Sequence, residues 1–291
     1  VHYTKLETLK LLLKETGENQ PKPKLRLWNT AYMNDTYEGG VFGELLSKCG
    51  GSSEDQNVLK TLEYYFNTTS QNVADSMVYI TSFSQAENNF QMWSIYAELE
   101  KGCTIRFSDD FFDIRDSYID PIEDLENNAY SLYQVQYYNG NEDAALISFK
   151  GQLSNIWNCL KNIKEILAGK SNEFKGNDKN ERLFNNASAE IRAFVADRLN
   201  EIRFLFKSKA YEYESELRLI RSSRFPRIDE ENADAPKLYI DVERDIDNIE
   251  VTLGKKIESE KAKNLSIWLN RTGKVRKVEI AGNENCETVS S

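Results

Sequence analysis

A chain of 291 residues, 40% hydrophobic and 29% charged, has an ordinary globular composition and is long enough to bury a sizeable core, which excludes a disordered or fibrous protein. The formal net charge of −10 argues against nucleic-acid affinity built on phosphate neutralisation, which needs clustered Lys and Arg, although a local basic groove stays compatible with it. The single histidine, His2, excludes multi-histidine metal sites and any Ser-His-Asp triad that does not use it.

The four cysteines, Cys49, Cys103, Cys159 and Cys286, match no zinc-ligand spacing and read as reduced thiols, so a cytoplasmic protein without a metal is expected. No apolar run approaches the roughly 18 residues of a membrane-spanning helix, and no membrane partner is expected. Residues 1–10 carry no signal-peptide core, and Val1 stands where methionine would begin a chain, so upstream residues are expected.

In chain order, residues 1–4 have short strand character, and residues 5–14 set Leu6, Leu9, Leu12 and Leu13 on one helical face. Gly17, Pro21 and Pro23 end that helix, residues 25–28 read as a strand, and Asn34, Asp35 and Glu38 sit in a carboxylate-rich turn over 34–40. A loop over 50–55 leads to a helical pattern at 58–66. The β-branched run 77–81 predicts a strand that delivers Ser82, Phe83 and Ser84 at its carboxyl end. A helix over 90–99, carrying Met92, Trp93 and Tyr96, and a strand over 103–107 complete a strand, helix, strand unit.

Two runs of apolar residues at helical spacing follow, Phe149 to Leu167 and Ile191 to Phe206, separated by a polar stretch at 169–179. They predict a helical hairpin inserted at 144–207. Strands are expected at 211–221, 237–242, 246–253 and 275–280, with a helix at 259–269. The sum is a single α+β domain over 1–291 with a mixed, largely antiparallel sheet, flanking helices and the inserted hairpin.

The strongest local chemical signal is the segment 211–220. Alternation on a strand sends Tyr211, Tyr213, Leu217 and Leu219 one way and Glu212, Glu214, Glu216 and Arg218 the other. Such a face is also the common one of a solvated strand with a weak Glu–Arg cross-pair, the reading alternation alone favours. Taken singly, His2 reads as a structural histidine, Ser82 and Ser84 as strand-end hydroxyls, and Met92, Trp93 and Tyr96 as core.

Taken in order, His2-Tyr3-Thr4, Asn34-Asp35-x-x-Glu38, Ser82-Phe83-Ser84, Met92-Trp93-x-x-Tyr96, residues 102–107 and Glu214-x-Glu216-x-Arg218 resemble the bacterial family catalogued as domain of unknown function 2971. The resemblance extends to residues 249–254 and departs at Thr36, where that family often has proline. It implies no reaction by itself. The order of histidine, hydroxyl and aromatic residues, and late glutamate is also similar to that of ADP-ribosyltransferases, which bind NAD in a split-sheet cleft.

That second resemblance implies that His2, Tyr3 and Thr4 hold the adenosine ribose and amide region, with Ser82 and Ser84 beside them. Phe83 or Tyr96 would pack on nicotinamide, Glu216 with Glu214 would hold the nicotinamide ribose or orient the acceptor, and Arg218 would pair a diphosphate or hold Glu216. NAD is then a substrate, the acceptor an unidentified protein or nucleic acid, and the setting a bacterial toxin or phage defence. Two alternatives stand beside it. One is a metal-dependent phosphodiesterase or nuclease in which Asp35, Glu38, Glu214 and Glu216 converge on Mg²⁺. The other is a non-catalytic nucleotide-binding or interaction module.

Overall fold

The stripe Leu6, Leu9, Leu12 and Leu13 is wholly buried in a helix, α1 (Leu6–Leu13), that follows a short strand, β1 (His2–Thr4), as the periodicity requires. The computed structural model describes residues 1–15, 22–33, 39–49, 77–113, 130–138, 178–229 and 236–282, with scattered positions of a helical run at 151–170. Residues 34–38 of the turn expected at 34–40, the loop at 50–55 and the helix at 58–66 lie outside the described residues.

The strands divide between two main sheets. In the four-stranded sheet β1 pairs antiparallel with β4 (Cys103–Arg106), which pairs antiparallel with β11 (Ile249–Leu253). A helix, α5 (Ser259–Arg271), then crosses over to β12 (Val275–Ile280), parallel to β11. The six-stranded sheet is antiparallel throughout. Its order is β5 (Leu132–Gln134), β8 (Glu216–Ser223), β3 (Met77–Ser84), β2 (Arg26–Asn29), β10 (Lys237–Asp241) and β9 (Arg227–Asp229). A parallel pair, β6 (Gln136–Tyr138) with β7 (Phe206–Ser208), stands beside it.

The main core gathers α1, α5 and the inward faces of both sheets, including Leu27, Tyr79, Phe83, Ile105, Leu219 and Val251. A smaller cluster of Val78, Ile80, Ile220 and Phe204 covers the opposite face of the six-stranded sheet. Its central strands β3 and β8 are therefore buried on both sides. This is why β3 reads as a nearly continuous apolar run instead of an alternating one. Phe204 follows α4 (Asp178–Arg203), which packs on β8 near α2 (Gly40–Cys49).

The α+β class with flanking helices is as the sequence predicts, and several boundaries differ. The strand expected at 211–221 begins only at Glu216, because Lys209–Glu214 forms a 3-10 turn closed by Ser215 in the left-handed region at φ 43°. The strand expected at 77–81 runs on to Ser84, so Ser82, Phe83 and Ser84 form its carboxyl end. Helix α3 (Phe90–Tyr96) is shorter than expected, and β3, α3 and β4 do not form a one-sheet unit, since β3 and β4 belong to different sheets. Within the inserted segment, positions 169–170 and 178–179 of the polar stretch are helical.

Helix α3 ends in three successive left-handed residues, Glu98 (φ 50°), Leu99 (φ 55°) and Glu100 (φ 70°). Each costs on the order of 1–2 kcal/mol for a residue with a Cβ. The turn is held by tight packing on two glycines: a side chain at Gly254 would overlap the Glu100 carbonyl oxygen, and one at Gly102 would overlap the Thr4 carbonyl oxygen. Lys256 N donates to Glu100 O at 3.1 Å and Gly254 N to Gly102 O at 2.9 Å. Gly254→Ala is accordingly expected to lower stability by about 3 kcal/mol, read as a reduced urea midpoint at unchanged slope.

Candidate functional site

Pairing of β3 with β8 sets Ser82 opposite Arg218 and Ser84 opposite Glu216. Cross-strand partners share a face, so these two distant pieces of sequence form one polar patch on a sheet that is otherwise apolar there. Glu214 joins it by a different route. The left-handed turn at Ser215 folds the 3-10 segment back over the strand end, where Ser84 Oγ donates to Glu214 O at 2.6 Å and Asn89 Nδ2 donates to Tyr213 O at 2.7 Å.

Lys207, the middle residue of β7, completes the cluster. Its Nζ lies 2.6 Å from Glu214 Oε2 and 3.1 Å from Glu216 Oε2. Arg218 grips Glu216 with both arms, Nε to Oε1 at 2.7 Å and Nη2 to Oε2 at 2.9 Å, while Nη1 donates to the Phe204 carbonyl. Tyr96 OH donates to Glu214 Oε1 at 2.9 Å, and Glu216 N donates to Tyr137 OH at 2.8 Å. Arg218 is 0% exposed and Glu214, Glu216 and Lys207 no more than 5%.

Two carboxylates and two cations thus cancel inside the protein, and each carboxylate oxygen has a donor. Such cancellation is the condition under which ions tolerate burial. Burial pushes the Glu216 carboxyl upward, but Arg218, Lys207 and a Ser82 hydrogen bond outweigh it and hold the group below its ordinary 4.5. Burial together with the Glu214 charge raises Tyr96 far above the usual phenol range, and burial with the Glu216 charge brings Tyr137 up to about 12. Both hydroxyls keep their protons at neutral pH.

The other predicted residues fall around this cluster. His2 Nδ1 is 2.9 Å from Ser82 O, a carbonyl that can only accept, so Nδ1 carries the proton it donates, and burial lowers the ring's affinity for a second one. Val1 O accepts from Ser84 N at 2.7 Å, which places the junction of the two sheets at the serine pair. Tyr3 faces the other way, with its ring edge on Trp93 at 5.4 Å and its hydroxyl donating to the carbonyls of Ala86 and Glu87. Thr4 is buried beside Cys103 on the sheet's core side.

Phe83 points away from Ser82 and Ser84 into the main core, against Phe107 and Phe112. The alternation that joins the serines to Glu216 therefore separates the phenylalanine from it. The solvated face that charge alternation also allows is not what forms: the Glu216–Arg218 cross-pair exists, and it is sealed from water. Asp35 and Glu38 lie outside the described residues. Among the described residues no three carboxylate, thiol or imidazole groups gather for a metal, and Mg²⁺ on Glu214 and Glu216 would have to displace Lys207.

Lys207 and Tyr137 were not marked by the sequence. Both sit in three-residue strands, too short to show a period, and Lys207 follows an apolar helical run that masks the change to strand. The half-buried Tyr96, Tyr137 and Tyr213 form the margin of the cluster toward water. Two clefts lie elsewhere: one of about 530 Å³ over the outer face of the four-stranded sheet, the other of about 840 Å³ between α1 and α5.

No protein-family model matches the chain, and no curated protein or solved structure matches it.

Arg218→Met leaves Glu216 short of its main counter-charge and is expected to cost about 3–5 kcal/mol in urea unfolding. Because Glu216 binds its proton less tightly folded than unfolded, its contribution is fully present above pH 4.5 and is lost as pH falls below that value. An acid titration of stability should therefore be shallower in Glu216→Gln than in the wild type.

Proposed function

We propose that the chain cleaves NAD and transfers ADP-ribose to a protein or nucleic-acid acceptor, or to water, as a relative of the domain of unknown function 2971 family acting as a toxin or phage-defence protein of the bacterial cytoplasm. The observation that carries this reading is the meeting of Ser82, Ser84, Glu214 and Glu216 at the junction of two sheets, with His2 on the Ser82 carbonyl. In sequence these pieces are more than two hundred residues apart at their extremes, and the resemblance to ADP-ribosyltransferases rests on the same residues in the same order.

The chemistry asks little beyond what the cluster holds. The bond between ribose C1′ and the nicotinamide nitrogen breaks, its electron pair leaves with neutral nicotinamide, and positive charge develops on the ribose ring. A carboxylate kept ionised at neutral pH stabilises that charge, as in glycoside cleavage. Glu216 is such a group, held ionised by Arg218 and Lys207. Glu214 Oε1 meets a neutral phenol instead of a cation, so Glu214 can take the acceptor's proton as its nucleophile bonds to C1′.

A second reading is favoured by one observation. Each oxygen of Glu214 and Glu216 is already engaged by a donor. In that case the cluster is an internal strut and the chain a non-catalytic nucleotide-binding or interaction module.

Nicotinamide release from NAD by the purified protein, with and without cell lysate as acceptor, separates the two. The transferase reading expects release that falls at least about 100-fold in Glu216→Gln and is reduced in Tyr96→Phe, with both variants folded by circular dichroism. Absent release from folded wild type removes it, and retained NAD binding would then support the module.

A further inference from the structure

The cleft of about 530 Å³ is within the size range of small-molecule sites and has a floor built by strand register. One cross-strand row brings Arg106, Glu250 and Lys277 side by side, and the next brings Thr104, Thr252 and Glu279. The third row is Gly102 and Gly254, and over the bare Gly254 the left-handed turn after α3 lies close enough to bring Glu100 to the end of the cleft. Phe90, 65% exposed, and Trp93 supply an aromatic wall.

Glu100 is the unusual member. Its side chain is 4% exposed, and neither carboxylate oxygen accepts a hydrogen bond. Lys255 Nζ at 3.0 Å and Lys256 Nζ at 3.7 Å give it charge contacts only, from side chains that are themselves more than half exposed. The cleft's other charges are matched to one another: Arg106 lies on Glu87 and Glu250, and Lys277 on Glu279 at 2.6 Å. A buried carboxylate with vacant acceptor positions, beside aromatic rings and threonine hydroxyls, is a receptor for a positively charged donor.

We propose that this cleft binds an organic cation bearing N–H donors, a primary ammonium or a guanidinium, with Glu100 as its anionic contact and Phe90 and Trp93 as its aromatic wall. Lys255 also lines the cleft, so the incoming cation takes the place of its ammonium on Glu100, and Lys255 and Lys256 move into water, where both side chains are already more than half exposed. Thr104 and Thr252 offer hydroxyl acceptors along the floor. The proposal is independent of any reaction at the Glu214–Glu216 cluster, since neither residue lines this cleft.

Agmatine is the probe, titrated calorimetrically into the full chain against its uncharged analogue N-butylurea. The expected result is saturable agmatine binding that weakens with added salt, falls at least tenfold in Glu100→Gln and several-fold in Phe90→Ala, and is not shared by N-butylurea. No saturable binding by wild type in the millimolar range would overturn the proposal, as would equal binding of N-butylurea or unchanged affinity in a folded Glu100→Gln. Phe90 is exposed, so Phe90→Ala tests the same cleft if Glu100→Gln does not fold; unchanged affinity there overturns the proposal as well.

Discussion

Two glutamates two residues apart cannot be carried into the interior of a protein unless counter-charges meet them there, and Lys207 and Arg218 meet them from different directions. Arg218 comes from the same strand as Glu216, so that pair is built in as soon as β8 is extended. Lys207 must be brought by β7, and β7 is located by its pairing with β6. The end of α4 enters as well, because the Phe204 carbonyl accepts from Arg218. A helix carboxyl terminus carries partial negative charge, so the guanidinium is drawn to it as well as to Glu216. Displacing any one of these elements leaves a buried charge unmet, which makes the cluster a constraint on the position of β6, β7, β8 and α4 together.

The same face of the six-stranded sheet shows how local this demand is. Two positions further along β3 and β8, Ile80 and Ile220 pair where Ser82 and Arg218 pair nearer the junction, and the apolar cluster with Val78 and Phe204 takes over. The polar patch is thus bounded by core on one side and by half-buried tyrosines on the other. His2 and Val1 close it from the four-stranded sheet through the Ser82 and Ser84 backbone, which ties the junction of the sheets to the same two serines.

Much of this architecture is legible in the sequence wherever one element carries its own pattern. The leucine stripe of α1, the apolar run of β3 and the helix at α5 announce themselves by periodicity. Alternation also puts Glu216 and Arg218 on one face of β8. It places Glu214 with them for the wrong reason: the chain there is a 3-10 turn, and a left-handed serine, not strand geometry, returns the carboxylate to the cluster. Burial was the larger gap. A run of glutamates looks solvated until its counter-ions are known, and Lys207, Tyr96 and Tyr137 come from elements whose proximity depends on tertiary pairing. The strained turn at Glu98–Glu100 was hidden for a similar reason, since neither Gly102 nor Gly254 reveals in isolation which backbone lies over it.

The parallel pairing of β6 with β7 sets an unusual boundary condition for the segment between them. Gln136 N donates to Leu205 O at 2.8 Å, and Gln136 lies opposite Phe206, so the chain that leaves at Tyr138 is fastened again where it returns, one residue before Lys207. Closing a chain between fixed ends costs entropy that grows only with the logarithm of its length. Length changes between Tyr138 and the start of α4 therefore carry little closure cost, provided α4 keeps its packing on β8 and both ends keep their register. Register is what the clasp cannot give up, because a one-residue slip at β7 would turn Lys207 to the opposite face and leave two carboxylates buried without it.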